Sequence, residues 1–163
     1  MDLATTGGSW CYSSSSTNCD AYGRLYDFAT AQLVCPANWG LPTDAEWITM
    51  EIFLGMSDAD ANSYGNRGSG IATILKSNSG YWLTNPGTET GTNTSGFTAL
   101  PAGYMVNGGV SWSLNEQAHF WTSSEWDASN GIERTLFYGA TVVGRGSIQK
   151  FADLSVRCIL RNP

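Results

Sequence analysis

The chain has 163 residues, 42% of them hydrophobic and only 13% charged, with a formal net charge of −6. That length supports one domain with a buried core, and the hydrophobic share excludes a wholly disordered chain. The acidic balance excludes a nucleic-acid partner, because no basic patch is present to displace phosphate counterions.

Residues 1–8 read as an N-terminal extension and residues 9–163 as a single domain. The extension lacks the basic and apolar segments of a signal peptide, so the leader of an exported protein is expected to lie outside this sequence. No apolar run is long enough for a transmembrane segment. "CYSSSSTNC" reads as a polar loop. "YDFATAQLVC" sets Phe28, Ala31, Gln32 and Cys35 at helical spacing, which predicts a short amphipathic helix stopped by Pro36. Thr43 followed by Glu46 is a capping-box pattern and starts a second helix, with Trp47, Ile48, Ile52 and Leu54 as its apolar face and Gly55 as its end. Residues 57–96 read mostly as loop, with "IATILKS" as a short helix or strand. From Phe97 onward, short apolar-aromatic runs alternate with Gly and Asn: "FTALPAGYMV", "SWSL", "HFWTSSEW", "RTLFYG" and "LSVRCILR". That spacing predicts an antiparallel sheet with long connections. The order of elements gives an α+β fold, two short helices and a small twisted antiparallel sheet with long loops.

Four cysteines, Cys11, Cys19, Cys35 and Cys158, contain no C-x-x-C and stand far from the single histidine, His119, which disfavours a zinc site. An even count in an acidic, serine-rich chain fits two disulfides and an oxidising compartment. Of the pairings open to four cysteines, Cys11–Cys19 with Cys35–Cys158 is preferred. The first pins the serine-rich loop. The second joins the early chain to its last strand, and is worth roughly 4–5 kcal/mol of chain entropy.

The chemical candidates are few. "EQAHFW" around His119 resembles neither a nucleophile elbow nor a Ser-His-Asp motif, so His119 is expected to be a polar residue at a strand start. Glu125, Asp127 and Glu133 lie near tryptophans and define the alternative, a glycosidase working with paired carboxylates. Asp58, Asp60 and Asn62 match the first positions of an EF-hand loop, but Ser63 and Ser69 stand where Gly and Glu are required. The stretch therefore reads as a solvated turn, a looser calcium site being the minority alternative, and no metal or other cofactor is assigned. "GNRGSG" lacks the strand and Lys-Ser/Thr of a phosphate loop. Seven Trp and seven Tyr exceed what a core of this size needs, so some are expected at a binding rim.

"SWCYSSSSTNCDAYGRLYDFATA", "CPANWGLPTDAEW", "SGFTALPAGY", "FWTSSEWD" and "LSVRC" follow one another in the order seen in the Fibrobacter succinogenes major paralogous domain, and the chain resembles that family from about Ser9 to Cys158. The resemblance implies a C-type lectin-like fold, related to the variable proteins of diversity-generating retroelements. It also implies an exported, often lipid-anchored bacterial protein at the cell surface or outside the cell, which binds rather than catalyses. The Cys35–Cys158 pairing suits it. Gly40 stands where the family usually has His. Ile132, Glu133, Gly144, Gly146 and Ile148 stand where it favours Tyr or Asn, either by drift or as marks of a ligand face.

The expectation is a non-enzymatic adhesion or recognition domain with no catalytic residues. Its rim is formed by Tyr104, Asn107, Trp112, Glu116, Trp126, Asp127, Glu133, Phe137, Arg145 and Ile148. The partner expected is a protein or carbohydrate on another cell or surface. A purely structural module of a surface assembly is the third reading. Within "FWTSSEW", either Phe120 or Trp121 is expected in the core with the alternate residue turned outward, and Trp126 at the rim.

Overall fold

The computed structural model describes residues 7–87, 90–106 and 109–161. Strand β1 (Ser9–Trp10) pairs with β2 (Leu25–Tyr26), and between them lie a 3-10 turn and helix α1 (Ser16–Tyr22). There follow α2 (Phe28–Ala31), β3 (Trp39–Gly40), α3 (Asp44–Phe53), α4 (Asp58–Asn62), β4 (Gly65–Arg67) and α5 (Ile71–Leu75). The second half is strand: β5 (Tyr104–Val106), β6 (Val110–Trp112), β7 (Gln117–Glu125), β8 (Asn130–Phe137), β9 (Val143–Gln149), β10 (Ala152–Asp153) and β11 (Ile159–Leu160). The main antiparallel sheet has the order β4-β9-β8-β7, a smaller one the order β10-β5-β6, and β11 pairs with β3.

The fold is α+β with small antiparallel sheets, as expected, but the described residues hold five α-helices rather than two. Of the additional ones, each a turn or two long, α1 and α4 lie where polar composition suggested loop, and α5 is the short helix or strand expected at "IATILKS". In α4 the "DADAN" stretch is a helix start: Ser57 accepts from the Asp60 amide, and Asp58 and Asp60 sit against the positive end of the helix dipole. The Phe28 helix stops after four residues. The Thr43 cap forms as read. The Thr43 amide donates to Glu46 Oε2 at 2.7 Å, and the Glu46 amide to Thr43 Oγ1 at 3.2 Å.

Both disulfides form with the expected partners. Cys11–Cys19 closes the loop into α1. Cys35–Cys158 joins segments next to β3 and β11, so a covalent and a hydrogen-bonded tie fasten the early chain to its last strand.

The main sheet is buried on both faces along most of β7 and β8, while the second half of β9, from Gly146 to Gln149, is half-buried or exposed. Phe120, Leu136 and Val143 pack with Trp47 of α3 and Leu75 of α5 on one side. Trp121 packs with Tyr26, Phe28 and Leu154 on the other. Phe120 and Trp121 are therefore both core, which corrects the expectation that one of them points outward. Period-two alternation exposes every second side chain only when one face of a sheet is wet. Trp121 donates its indole N–H to the Tyr26 carbonyl at 2.8 Å and meets the Phe28 ring edge-on at 5.1 Å.

The hydroxyls of "FWTSSEW" have a separate task. Pairing of β7 with β8 jumps from Trp121↔Glu133 to Glu125↔Gly131, leaving a bulge in β7. Thr122 Oγ1 donates to the Ile132 carbonyl at 2.9 Å and accepts from the Ser124 amide at 3.1 Å. Ser124 Oγ in turn accepts from the Asp44 amide at 3.0 Å, hooking the bulge to the start of α3.

Beneath this contact lies a buried ionic cluster absent from the sequence reading. Glu51 is 0% exposed on the inner side of α3. It accepts from Arg134 Nε at 2.8 Å and from Arg67 Nη2 at 2.6 Å. Asp44 accepts from Arg134 at 2.8 Å and, bidentately, from Arg145 at 3.0 and 2.5 Å. The cluster locks α3 to the cross-strand arginine pair of β8 and β9.

Candidate ligand-binding face

Cross-strand partners point to the same side of an antiparallel sheet. The register Glu133↔Gly146, Thr135↔Gly144 and Gly131↔Ile148 therefore places Glu133, Thr135, Phe137, Gly144, Gly146 and Ile148 on one face, opposite the arginine cluster. His119, paired with Thr135, joins them from β7. His119 Nδ1 lies 2.7 Å from Glu133 Oε2, and Nε2 lies 2.8 Å from the Gln117 side-chain oxygen. The Tyr104 ring leans on the imidazole with centroids 4.7 Å apart. Trp112, 52% exposed, is the cross-strand partner of Tyr104 on β6.

The floor beside this group is made of glycine. A Cβ built on Gly146 would meet nothing within 4 Å, so the backbone there borders open space. One on Gly144 would touch Asn66, Thr135 and Phe137 at ordinary or slightly tight distances. The result is a face with open backbone at Gly146, the half-buried aromatics Tyr104 and Phe137 at its sides, and an almost wholly buried imidazole–carboxylate pair beside them. It offers a ligand apolar contact area and a few oriented polar groups. Both imidazole nitrogens face side-chain oxygens, which fixes the orientation of the ring.

Residues 2–160 match the Fibrobacter succinogenes major domain family. The chain belongs to that family. Neither the curated proteins nor the solved structures searched contain a match to it.

On this family domain the expected rim residues divide. Tyr104, Trp112, Glu133, Phe137 and Ile148 are brought together on the glycine-floored face or its border, Glu133 buried and the others half-buried or exposed. Glu116 is exposed just before β7, where its carbonyl accepts from the Tyr138 amide at 2.6 Å. Asn107 lies outside the described residues. Trp126 and Asp127 occupy the tip of the β7–β8 hairpin. There Asp127 accepts from the Ser129 and Asn130 amides at 2.7 and 2.8 Å and closes the turn. Hydrogen bonds from the Asn130 side chain and from the Ser129 amide hold its carboxyl below the usual carboxylate range. Trp126, 48% exposed, meets Tyr64 edge-on at 4.7 Å.

Arg145 departs from the expected rim. It is buried on the opposite side of the sheet, tied to Asp44, with Tyr64 stacked 4.0 Å from its guanidinium carbon. The Asp44 hydrogen bond raises its pKa further above the ordinary arginine value. A positive charge so fully engaged fixes α3 and has little left for a ligand. The three carboxylates of the glycosidase reading have different hydrogen-bond partners. Glu125 pairs with Lys150 at 2.8 Å, Asp127 closes the hairpin and Glu133 holds His119.

His119 and Gln117 are members of the face that the sequence did not assign to it, whereas Gly144 and Gly146 stood out only through the family resemblance. The signal was present in the "GRG" run, two glycines spaced to fall on one side of a strand.

Among the described residues, no helix is long and apolar enough to cross a membrane.

Proposed function

We propose that this domain is a non-catalytic recognition module of C-type lectin-like architecture in an exported bacterial surface protein, acting in adhesion to a protein or glycan on another surface. The observation that carries the proposal is the glycine-floored face, where aromatic walls and the His119–Glu133 pair border an open backbone. Such a surface offers contact area at low entropic cost together with fixed polar groups. Val110 and Trp112, both more than half exposed on β6, extend it with apolar area and favour a protein ligand over a sugar.

Three further observations support the reading. Of the six positions where this chain departs from the residues its family favours, Glu133, Gly144, Gly146 and Ile148 share this face, Ile132 points to the other, and Gly40 lies on β3. That grouping is what variation at a ligand face, including variation written by a retroelement, produces. The early-to-late disulfide and the β3–β11 ribbon fit the lectin-like assignment, and two disulfides fit an oxidising compartment. Engagement of both His119 nitrogens, with each nearby carboxylate tied elsewhere, weighs against general acid–base catalysis.

The test is a screen of the purified, disulfide-intact domain against surface-protein and glycan arrays, in calcium and in chelator. A hit that weakens at least tenfold in Phe137→Ala and Trp112→Ala supports the face. Turnover of a glycan that disappears in Glu133→Gln replaces the proposal with the glycosidase. A blank in both conditions favours a structural module of a surface assembly.

A further inference from the structure

The chain contains six arginines. Four of them, Arg67, Arg134, Arg145 and Arg161, hold carboxylates at ion-pair distance. Arg24 and Arg157 have no carboxylate partner among the described residues, although the chain carries 14 acidic groups against 8 Lys and Arg. These two, remote in sequence, line the same cleft of about 660 Å³, between α1 and the segments that precede β5 and follow β10. That volume falls within the range of roughly 300–1,000 Å³ typical of small-molecule sites. The cleft shares no residue with the glycine-floored face.

Arg157 is held but not satisfied. Its guanidinium carbon sits 4.8 Å from the centroid of the Phe97 ring, which fixes the plane of the group. Nη2 makes one long bond, 3.4 Å, to the Thr98 carbonyl, and Nε is buried with no acceptor. A guanidinium has five N–H donors, so most of this one's capacity is unused. Arg24 is anchored more firmly. Its Nε and Nη2 each donate to Ser9 at 3.1 Å, and Nη1 lies beside both sulfurs of Cys11–Cys19. The disulfide loop thereby holds a second positive charge at the cleft.

We infer that this cleft is an oxyanion-binding site, in which the Arg157 fork receives the carboxylate, sulfate or phosphate group of a small polar ligand. Arg24 adds a fixed charge. Asp20, Tyr22, Thr98 and Ser155, also in the lining, provide partners for neighbouring hydroxyls. Tyr22 is pre-positioned by the bond its hydroxyl donates to Asn115 Oδ1 at 2.6 Å. Planar, bidentate recognition of oxyanions is the use to which a pre-oriented guanidinium is best suited. Burial without a counter-charge pushes the Arg157 pKa down, and a bound anion would relieve that cost.

Calorimetric titration of the full chain with sodium glucuronate, phosphate and sulfate, and with neutral glucose as control, tests the site and identifies which oxyanion source it prefers. The expected result is saturable binding of at least one anion and none of glucose. In Arg157→Gln, with the wild-type near-ultraviolet circular dichroism retained, affinity should fall about tenfold or more, the loss expected for charge-assisted bonds. Should that variant fail to fold, nitrogen-resolved magnetic resonance of the wild type decides. The Arg157 Nε–H signal should move along the same isotherm. No saturable binding by any of the three anions, undiminished binding in a folded Arg157→Gln, or shifts that spare Arg157 would each overturn the assignment.

Discussion

Replacing Glu51 by Gln perturbs the molecule at its most deeply committed charge. The buried cluster contains three cations, Arg67, Arg134 and Arg145, and two anions, Asp44 and Glu51, so it carries one net positive charge in the wild type. The substitution raises that to two and leaves Arg67 without a counter-ion, at a site where both side chains are almost fully shielded from water. Burial already depresses the Arg67 pKa, and Glu51 is the group that opposes this. Removing one partner of a buried pair costs about 3–5 kcal/mol. Gln keeps one acceptor oxygen, so the lower end, about 3 kcal/mol, is expected. Against a total stability of about 5–15 kcal/mol this is a large fraction. At about 2–4 °C per kcal/mol for a domain of this size, Tm should fall by about 6–12 °C. The assay is urea denaturation with both disulfides intact, where the midpoint should drop at unchanged slope. A companion variant with Glu51, Arg67 and Arg134 all replaced by Met should recover most of the loss, because Glu51 then goes together with both of its partners and the Asp44–Arg145 pair is left neutral. A loss below about 1 kcal/mol in Glu51→Gln would refute the reasoning, since it would place these groups in a medium far more water-like than their burial implies.

Three further outcomes follow from the same geometry. Burial alone raises the Asp44 carboxyl pKa, but the hydrogen bonds and charges of Arg145 and Arg134 outweigh it and hold the group below its ordinary range. Its stabilising contribution is therefore complete above the unfolded value near pH ~4 and is lost as the pH falls further through the folded pKa, which denaturation series on the acid side will show. Thr43→Ala removes the cap of α3 and should cost about 1 kcal/mol in the same assay. Gly131→Ala would drive a Cβ to 2.6 Å from Phe28 and 2.9 Å from Trp121, whereas Gly146→Ala enters open space. The first should destabilise by about 1–3 kcal/mol and the second by less than about 0.5 kcal/mol, both read by thermal unfolding.

What the sequence made legible was local or covalent. Thr43 and Glu46 announce the start of α3 within four positions, and four cysteines in an acidic, serine-rich chain suffice for the two bridges. The alternation of aromatic runs with Gly and Asn located the sheet. What escaped depends on which distant segments meet. Glu51 lies in a helix whose apolar neighbours suggest a solvent-facing charge, and its partners are 16 and 83 positions away. Either Phe120 or Trp121 reads as outward until Tyr26 and Phe28 are known to cover the side opposite Trp47. Conversely, α3 leaves Phe53 86% exposed, an apolar residue on the polar side of its helix. The ten rim residues were chosen for their side-chain chemistry, but it is cross-strand register that gathers five of them and sends Arg145 to the opposite face. Arg24 and Arg157 carry no mark in sequence that they share a cleft. Their unpaired state becomes visible only when every other arginine has been matched to a carboxylate.

The central claim is that the glycine-floored face binds a macromolecular ligand. It is tested most directly by measuring the affinity of the array hit for Gly146→Tyr beside the wild type. A Cβ at Gly146 meets nothing, so the variant should fold normally while its ring fills the floor between Glu133 and the strand edge. The account predicts at least a tenfold loss of affinity with an unchanged unfolding midpoint. Full retention of binding in the folded Gly146→Tyr protein would contradict it.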